Sequence, residues 1–151
     1  MTNLHDQSLN VLVVDDSLAA REWAAHCFDG KPRVQVDLAA SADDGLSKAG
    51  ESALGLLLLD YKLGGTERAG LIQRYRDRAP AAVILALIAD GHRGECLSAL
   101  RDGADHFVLK PLTWEKVRRA IEAVYRLRGN IKEDEALPCS DSPREQRMES
   151  A

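Results

Sequence analysis

Residues 11–17 read Val-Leu-Val-Val-Asp-Asp-Ser and give the clearest indication of the fold. Four consecutive apolar residues predict a short strand covered on both faces, and two carboxylates follow at the point where that strand ends. Residues 56–60, Leu-Leu-Leu-Leu-Asp, repeat the arrangement. Strands of this kind are typical of parallel sheets with helices on both sides. The sequence therefore predicts an α/β domain.

Three further apolar runs, at residues 34–38, 83–88 and 107–109, bring the number of predicted strands to five. Residues 34–38 alternate between apolar and polar side chains, which is typical of an edge strand. We therefore predict a (βα)5 domain, in which a doubly wound parallel sheet of five strands has the order 2-1-3-4-5. That order is taken from known doubly wound sheets with an edge second strand, because spacing alone does not determine it.

Helical patterns separate the predicted strands. Ser41 followed by Asp44 predicts the capped start of the second helix, and Thr113 that of the fifth. Gly103 and Gly129 mark the ends of the fourth and fifth helices. The residues predicted to face the core are Ala20, Trp23, Ala24, Cys27 and Phe28 in the first helix, Leu71, Ile72 and Tyr75 in the third, Cys96, Ala99 and Leu100 in the fourth, and Val117, Ala120, Ile121 and Val124 in the fifth.

We place the domain at residues 9–128 and predict an acidic, disordered C-terminal tail at 129–151, because that segment has no apolar period. The chain has 151 residues and a formal net charge of −4, which gives no general attraction to nucleic acid or to an anionic membrane. The apolar run at 81–89 is too short to span a bilayer. Three widely separated cysteines form no zinc or disulfide pattern, so we expect a reduced, cytoplasmic compartment.

Polar residues follow three of the predicted strands. Asp15 and Asp16 follow strand 1, Asp60 follows strand 3, and Lys110 follows strand 5. In a parallel sheet these strand ends share one edge, so three carboxylates and one ammonium are expected to converge there. Carboxylates that crowd together repel one another unless a cation separates them, and an oxygen-only ligand set suits Mg²⁺. One carboxylate would remain free to attack phosphorus and form an acyl phosphate.

Three segments give the sequence a strong resemblance to a response-regulator receiver domain of the CheY-like family, over residues 9–128. They are VLVVDDS at 11–17, LLLLDYKL at 56–63 and GADHFVLKPL at 103–112. The resemblance implies a flavodoxin-like sheet, a Mg²⁺ cofactor and a specific role for each matching residue. Those roles are Asp60 as phosphoacceptor, Asp16 as a direct metal ligand, Asp15 as a ligand acting partly through water, the Lys62 carbonyl as a further ligand, Lys110 as the phosphoryl-binding cation, a cis peptide bond before Pro111, and Phe107 as the aromatic switch residue.

The sequence departs from the family pattern in two places. The loop after Asp60 usually reads Met-Pro and then glycine, whereas residues 61–65 here read Tyr-Lys-Leu-Gly-Gly. Strand 4 usually ends in Thr or Ser, whose hydroxyl bonds the phosphoryl group, but the matching residue is Ile88. We therefore expect an intact phosphorylation site with a damaged switch relay, in which Phe107 serves either as a core residue or as the switch.

The resemblance implies a stand-alone signalling module in a two-component phosphorelay, which is not an enzyme beyond slow self-dephosphorylation. It would take a phosphoryl group on Asp60 from a histidine kinase or histidine phosphotransfer protein and act on a downstream protein, without contacting nucleic acid or membrane. The alternative is a pseudo-receiver that binds partners without phosphorylation. The basic side chains of the fifth helix form either a solvated face or, with the fourth helix, a dimer or partner interface; they are Arg118, Arg119, Arg126 and Arg128.

Two functions from other classes fit less well. An aspartate-nucleophile phosphohydrolase would carry a DxD spacing after strand 1, and a flavodoxin-like electron carrier would have a hydroxyl-rich and glycine-rich first loop. Residues 15–17, Asp-Asp-Ser, match neither pattern.

Overall fold

The computed structural model describes residues 8–51, 53–63 and 68–129. Five strands alternate with five helices. The strands are β1 (Leu9–Val14), β2 (Val34–Ala39), β3 (Leu56–Asp60), β4 (Val83–Ile88) and β5 (His106–Leu109), and the helices are α1 (Leu18–His26), α2 (Ala42–Ala49), α3 (Arg68–Arg78), α4 (Glu95–Arg101) and α5 (Trp114–Leu127). The tail predicted for 129–151 lies outside the described residues except for Gly129.

The five strands form one parallel sheet in the order β2-β1-β3-β4-β5, which confirms the predicted topology. At the carboxyl end of the sheet, Val14 of β1 is aligned with Ala39 of β2 on one side and with Leu59 of β3 on the other. The residues that follow β1 and the last residue of β3 therefore meet at one edge of the sheet.

Helices cover both faces of the sheet and create two apolar layers. Leu57 and Leu59 belong to the layer that β3 shares with α2, α3 and α4, whereas Leu56 and Leu58 belong to the layer shared with α1 and α5. This two-sided burial explains why β3 is continuously apolar. Among the described residues, no helix is long and apolar enough to cross a membrane.

The predicted helix caps are present. The Ser41 hydroxyl accepts a hydrogen bond from the Asp44 amide at 3.1 Å, and the Thr113 hydroxyl accepts one from the Lys116 amide at 3.2 Å. Ser17 caps α1 in the same way. Each cap satisfies an amide that the first turn of a helix leaves without a partner, so these residues determine where the helices begin.

Three side chains differ from expectation. Trp23 was predicted to face the core but is 56% exposed, because its indole N–H reaches sideways to donate to the Leu112 carbonyl at 2.6 Å. Leu100 is 38% exposed, since α4 buries only Cys96 and Ala99. A solvated basic face on α5 was one of the two expectations, and it is wrong for Arg118. This side chain is buried in an ion pair with Glu122 at 2.6 Å.

A charged cluster closes the opposite edge of the sheet, where β5 begins. Asp105 Oδ2 accepts hydrogen bonds from the Ile84 amide at 2.8 Å and from Arg76 Nη2 at 2.7 Å. Its other oxygen lies 3.2 Å from Arg128 Nη2. One half-buried carboxylate thus joins β4, α3 and the end of α5.

Candidate functional site

The site forms where β1 and β3 end side by side. Asp15, Asp16 and Asp60 each offer a carboxylate oxygen, and these three atoms lie within 4.8 Å of one another. The convergence follows from the parallel pairing of β1 with β3, which brings two strand ends to the same edge. Residues 45 positions apart in the chain are thereby collected into one acidic cluster.

Asp15 is the buried member of the cluster, with 1% of its surface exposed. Its Oδ1 accepts a hydrogen bond from the Ser17 amide at 3.0 Å, and its Oδ2 accepts one from Lys110 Nζ at 2.9 Å. Arg21 donates to the Asp15 carbonyl at 2.8 Å. A buried carboxylate needs such partners, and they hold Asp15 in a fixed orientation.

Lys110 connects β5 to the acidic cluster. Its backbone amide donates to the Ile88 carbonyl at 2.8 Å, and the peptide bond that joins it to Pro111 is cis. Its Nζ lies 3.6 Å from Asp60 Oδ1 in addition to its contact with Asp15. Burial disfavours the charged ammonium, but the hydrogen bond to Asp15 and the negative charge of Asp60 outweigh burial and raise the pKa of Lys110.

Asp60 is the partly buried member of the cluster, and its side chain is 13% exposed. The backbone amide of Lys62 donates to its Oδ1 at 3.3 Å. Burial and the charge of Asp15 raise the pKa of Asp60 above its ordinary value, although Lys110 acts in the opposite direction. Asp16, by contrast, is exposed to solvent. The carboxylate of Asp60 is therefore held in a site that disfavours its charge in the absence of a further cation.

The donor set fits a hard divalent cation. Every candidate ligand is an oxygen atom, and the three clustered carboxylates carry more negative charge than one lysine neutralises. Mg²⁺ prefers oxygen ligands and binds commonly to one or two carboxylates while it also contacts phosphate oxygens. Asp15, Asp16, Asp60 and the Lys62 carbonyl could hold such an ion, which would supply the positive charge that Lys110 alone does not.

The two candidate switch residues lie on the side of the sheet that α4 covers. Ile88 is 1% exposed and belongs to the apolar layer that also contains Cys96 and Ala99 of α4. Phe107 is half-buried against the same layer, with its ring 5.0 Å from the ring of His106. Ile88 therefore contributes apolar packing at the end of β4.

Sequence reasoning missed several polar contacts around the site. Ser17 caps α1, and a serine directly before a helix is a usable signal for this. The Tyr61 hydroxyl donates to Asp102 Oδ2 at 2.7 Å, across 41 residues of sequence. No local pattern identifies a side-chain pair at that separation, so only the folded chain reveals it.

Comparison with known proteins agrees with this geometry. A protein-family model described as "Response regulator receiver domain" matches residues 11–122. The "Probable chemotaxis protein CheY" of Rhizobium etli is 27% identical over 121 residues, which cover 79% of this chain and 94% of that protein. The transcriptional regulatory protein ResD of Bacillus subtilis is 25% identical over 116 residues, and the match covers 77% of this chain but only 48% of ResD.

A solved structure of a response regulator from Burkholderia pseudomallei, "with a phosphorylated aspartic acid, calcium ion and citrate", is also similar. It is 26% identical with a TM-score of 0.60, and the match covers 82% of this chain and 76% of that one. The family model spans well over half of the sequence and includes all three clustered carboxylates and Lys110. The chain therefore belongs to the response regulator receiver domain family.

Proposed function

We propose that Asp60 accepts a phosphoryl group from a phosphohistidine of a histidine kinase or histidine phosphotransfer protein, with Mg²⁺ held by Asp15, Asp16, Asp60 and the Lys62 carbonyl. One observation carries the proposal: three carboxylate oxygens within 4.8 Å of one another lie beside a lysine that contacts two of the three residues. A cluster this acidic is costly in a half-buried position unless a cation binds to it.

The proposed transfer needs no acid or base from the protein. An Asp60 carboxylate oxygen forms a bond to phosphorus while the bond between phosphorus and the histidine nitrogen breaks, and the departing nitrogen keeps the electron pair. The product is an acyl phosphate on Asp60. Charge on the transferring phosphoryl oxygens must be neutralised, which is the main contribution of the site. Asp60 is the nucleophile in this proposal because Asp15 is buried and already accepts two hydrogen bonds.

Lys110 has the position to contact the phosphoryl group. Its Nζ lies between Asp15 and Asp60, at 2.9 Å and 3.6 Å from their oxygens. The raised pKa of Lys110 keeps it charged at neutral pH. Asp15, Asp16, Asp60 and the Lys62 carbonyl would hold Mg²⁺, which when bound would supply further positive charge to neutralise the transferring phosphoryl group.

The family supports this assignment. Receiver domains are the phosphoacceptor domains of two-component response regulators and interact with histidine kinases or phosphotransfer proteins. They are signalling domains, and the enzymes among similar proteins, such as the protein-glutamate methylesterase of Myxococcus xanthus, are much longer chains, of which the match covers 30%. We further propose a cytoplasmic location and a downstream protein partner for this chain.

Incubation of the full chain with acetyl phosphate and Mg²⁺, followed by intact mass measurement, tests the proposal. We expect one added phosphoryl group in the wild type and none in Asp60→Asn. Asp37→Asn is the matched control, because Asp37 is an exposed carboxylate on the edge strand β2. Equal labelling of the wild type and Asp60→Asn would refute the assignment of Asp60.

A phosphorylation-independent interaction module is the second candidate, and Ile88 favours it because an aliphatic side chain donates no hydrogen bond to a phosphoryl oxygen. A Mg²⁺ titration followed by tryptophan fluorescence separates the two functions. Trp23 reports on the site, since its indole N–H is bonded to Leu112, two residues beyond Lys110. A saturable fluorescence change favours the phosphoacceptor, and no change at millimolar Mg²⁺ favours the interaction module.

A further inference from the structure

The two residues that follow Asp60 contact opposite ends of α4. Tyr61 is 3% exposed, and its hydroxyl donates to Asp102, the residue that caps the C-terminus of α4, at 2.7 Å. Lys62 extends the other way, and its Nζ lies 3.2 Å from Nε2 of His92 in the loop before α4. We infer that Tyr61 and Lys62 transmit the state of Asp60 directly to α4, by a route that does not pass through residue 88. This inference rests on the proposed phosphorylation of Asp60.

The backbone next to Asp60 would respond to a change at its carboxylate. The Lys62 amide donates to Asp60 Oδ1 at 3.3 Å, and that oxygen would acquire new partners when a phosphoryl group or metal ion binds. Tyr61 lies between these two residues, and its own amide is bonded to the Leu87 carbonyl of β4 at 3.1 Å. A rearrangement of the Lys62 amide would therefore act on the short segment of backbone that carries both side chains.

The contact at the start of α4 continues into the helix. His92 Nδ1 lies 3.1 Å from a carboxylate oxygen of Glu95, the first residue of α4. A neutral His92 ring can accept a hydrogen bond from Lys62 at one nitrogen and donate one to Glu95 from the other. Lys62, His92 and Glu95 thus form a polar chain from the loop after β3 to the first turn of α4.

α4 is held weakly by its own packing, so contacts at its ends have a large influence on its position. It has seven residues, of which only Cys96 and Ala99 are buried, and both are small. Leu97 is 64% exposed and Leu100 is 38% exposed. Gly94 provides no side-chain cap at its start. Segments with few buried apolar contacts move at low free-energy cost.

Ile88 cannot connect Asp60 to α4 through a hydrogen bond. It ends β4 and is buried in the apolar layer, but its side chain carries no donor that could follow a phosphoryl oxygen. Tyr61 is buried in that same layer and carries a hydroxyl that reaches α4. A polar connection between the end of β3 and α4 therefore exists in this chain, one residue after the phosphoacceptor.

The test compares the full-length wild type with Tyr61→Phe, which removes one hydroxyl and leaves the ring. Beryllofluoride and Mg²⁺ are added to each protein, and two signals are recorded. Fluorine NMR reports whether the mimic is bound, and amide NMR reports the shift changes of residues 95–101 on binding. Tyr75→Phe is the matched control, because Tyr75 is also buried and its hydroxyl donates to Ala42 at 2.9 Å, away from α4.

A hydrogen bond to a charged acceptor can bias a two-state equilibrium by about tenfold, so we expect the α4 shift changes to fall at least about twofold in Tyr61→Phe. Asp102→Ala removes the same bond from its other end and should give the same loss. Asp102→Asn keeps an oxygen acceptor and should restore most of the response. Tyr75→Phe should give the same α4 shift changes as the wild type. If the loss of any buried tyrosine hydroxyl weakened the response through lower stability, Tyr75→Phe would weaken it too.

Two outcomes would overturn the inference, and they are distinguishable. The first outcome is that Tyr61→Phe and the double variant Tyr61→Phe, Lys62→Met both bind the mimic, as fluorine NMR shows, and both give α4 shift changes as large as those of the wild type. That outcome would refute the route and leave the proposed function standing. The absence of bound fluoride signals in the wild type itself would refute the proposed function, and the inference with it.

Discussion

Replacing Asp60 with asparagine should stabilise the metal-free domain. Asp60 shares a half-buried site with two other carboxylates, and burial together with Asp15 raises its pKa. A raised pKa means that the folded state disfavours the charged carboxylate relative to the unfolded chain. Asparagine keeps an oxygen that can accept the hydrogen bond from the Lys62 amide. The substitution therefore removes a charge and leaves the local hydrogen bonding in place.

The size of the effect follows from the distances. With an effective dielectric constant of about 20, two carboxylates 4.8 Å apart repel by about 3.5 kcal/mol, and an ammonium 3.6 Å away attracts by about 4.6 kcal/mol. Asp15 and Asp16 both repel Asp60, whereas Lys110 alone attracts it. Asp16 is exposed, so solvent weakens its repulsion of Asp60, whereas the burial of Asp60 adds a desolvation cost to its charged form. The net gain in unfolding free energy for Asp60→Asn is roughly 1 to 2 kcal/mol.

The gain has a definite pH dependence. Below the ordinary aspartate pKa of 3.8, residue 60 is protonated in both folded and unfolded wild type, and the variant has no advantage. The advantage of Asp60→Asn grows as the pH rises from that value through the raised pKa of the folded state, and it is complete above it. At neutral pH the variant should melt about 3 to 8 °C above the wild type in the presence of EDTA.

Mg²⁺ should reverse the order of stability. An ion at one hundred times its dissociation constant stabilises the folded protein by about 2.7 kcal/mol, and Asp60→Asn removes one of its proposed ligands. Thermal unfolding followed by circular dichroism, in EDTA and in Mg²⁺, measures both effects. Asp37→Asn, on the exposed face of β2, controls for loss of net charge. The electrostatic reasoning is wrong if Asp60→Asn melts at or below the wild type in EDTA.

Three other substitutions give separate tests. Lys110→Ala should leave Mg²⁺ affinity largely intact but shorten the lifetime of the acyl phosphate, because the proposed mechanism gives the ammonium a contact with the phosphoryl group and none with the ion. Equal loss of both would contradict that role. Ile88→Thr should lower the unfolding free energy by about 1 to 3 kcal/mol, since it places a hydroxyl in an apolar layer. The same variant should enlarge the amide shift changes that beryllofluoride causes across residues 90–110. Equal shift changes in the variant and the wild type would mean that residue 88 does not limit the response. Asp105→Ala should lower the free energy of unfolding, measured in urea, by about 2 to 4 kcal/mol, because the Ile84 amide and Arg76 lose the acceptor that they share. A loss below about 0.5 kcal/mol would show that water replaces the carboxylate of Asp105.

The five strands were predictable because they depend on local signals, whereas their order was taken from known doubly wound sheets. Runs of apolar residues, one alternating strand and the capping residues at 41 and 113 are each visible within a few positions of sequence. The observed strands begin or end at most two residues from the predicted ones, as with β1, which begins at Leu9 rather than Val11. Positions of the carboxylates at strand ends then follow from parallel topology alone.

Side-chain direction at the margins of helices was not predictable in the same way. Trp23 satisfies the helical spacing for a core position, yet a single hydrogen bond to Leu112 holds its ring at the surface. Arginine is usually exposed, yet Arg118 is buried because Glu122 lies one turn away and pairs with it. In both cases a partner with a specific geometry overrides the average preference of the residue type.

The two departures from the expected family pattern, in the loop at residues 61–65 and at residue 88, are connected in the folded chain. In the sequence they are separate: the loop lacks the Met-Pro pair that the resemblance leads us to expect, and residue 88 lacks the expected hydroxyl. In the folded chain, Tyr61 and Ile88 are buried in one apolar layer beneath α4. An aliphatic residue at 88 fills that layer without a polar group, while the hydroxyl of Tyr61 crosses it to bond Asp102. A buried hydroxyl requires such a partner, and for the residue next to Asp60 that partner is Asp102 at the C-terminal end of α4.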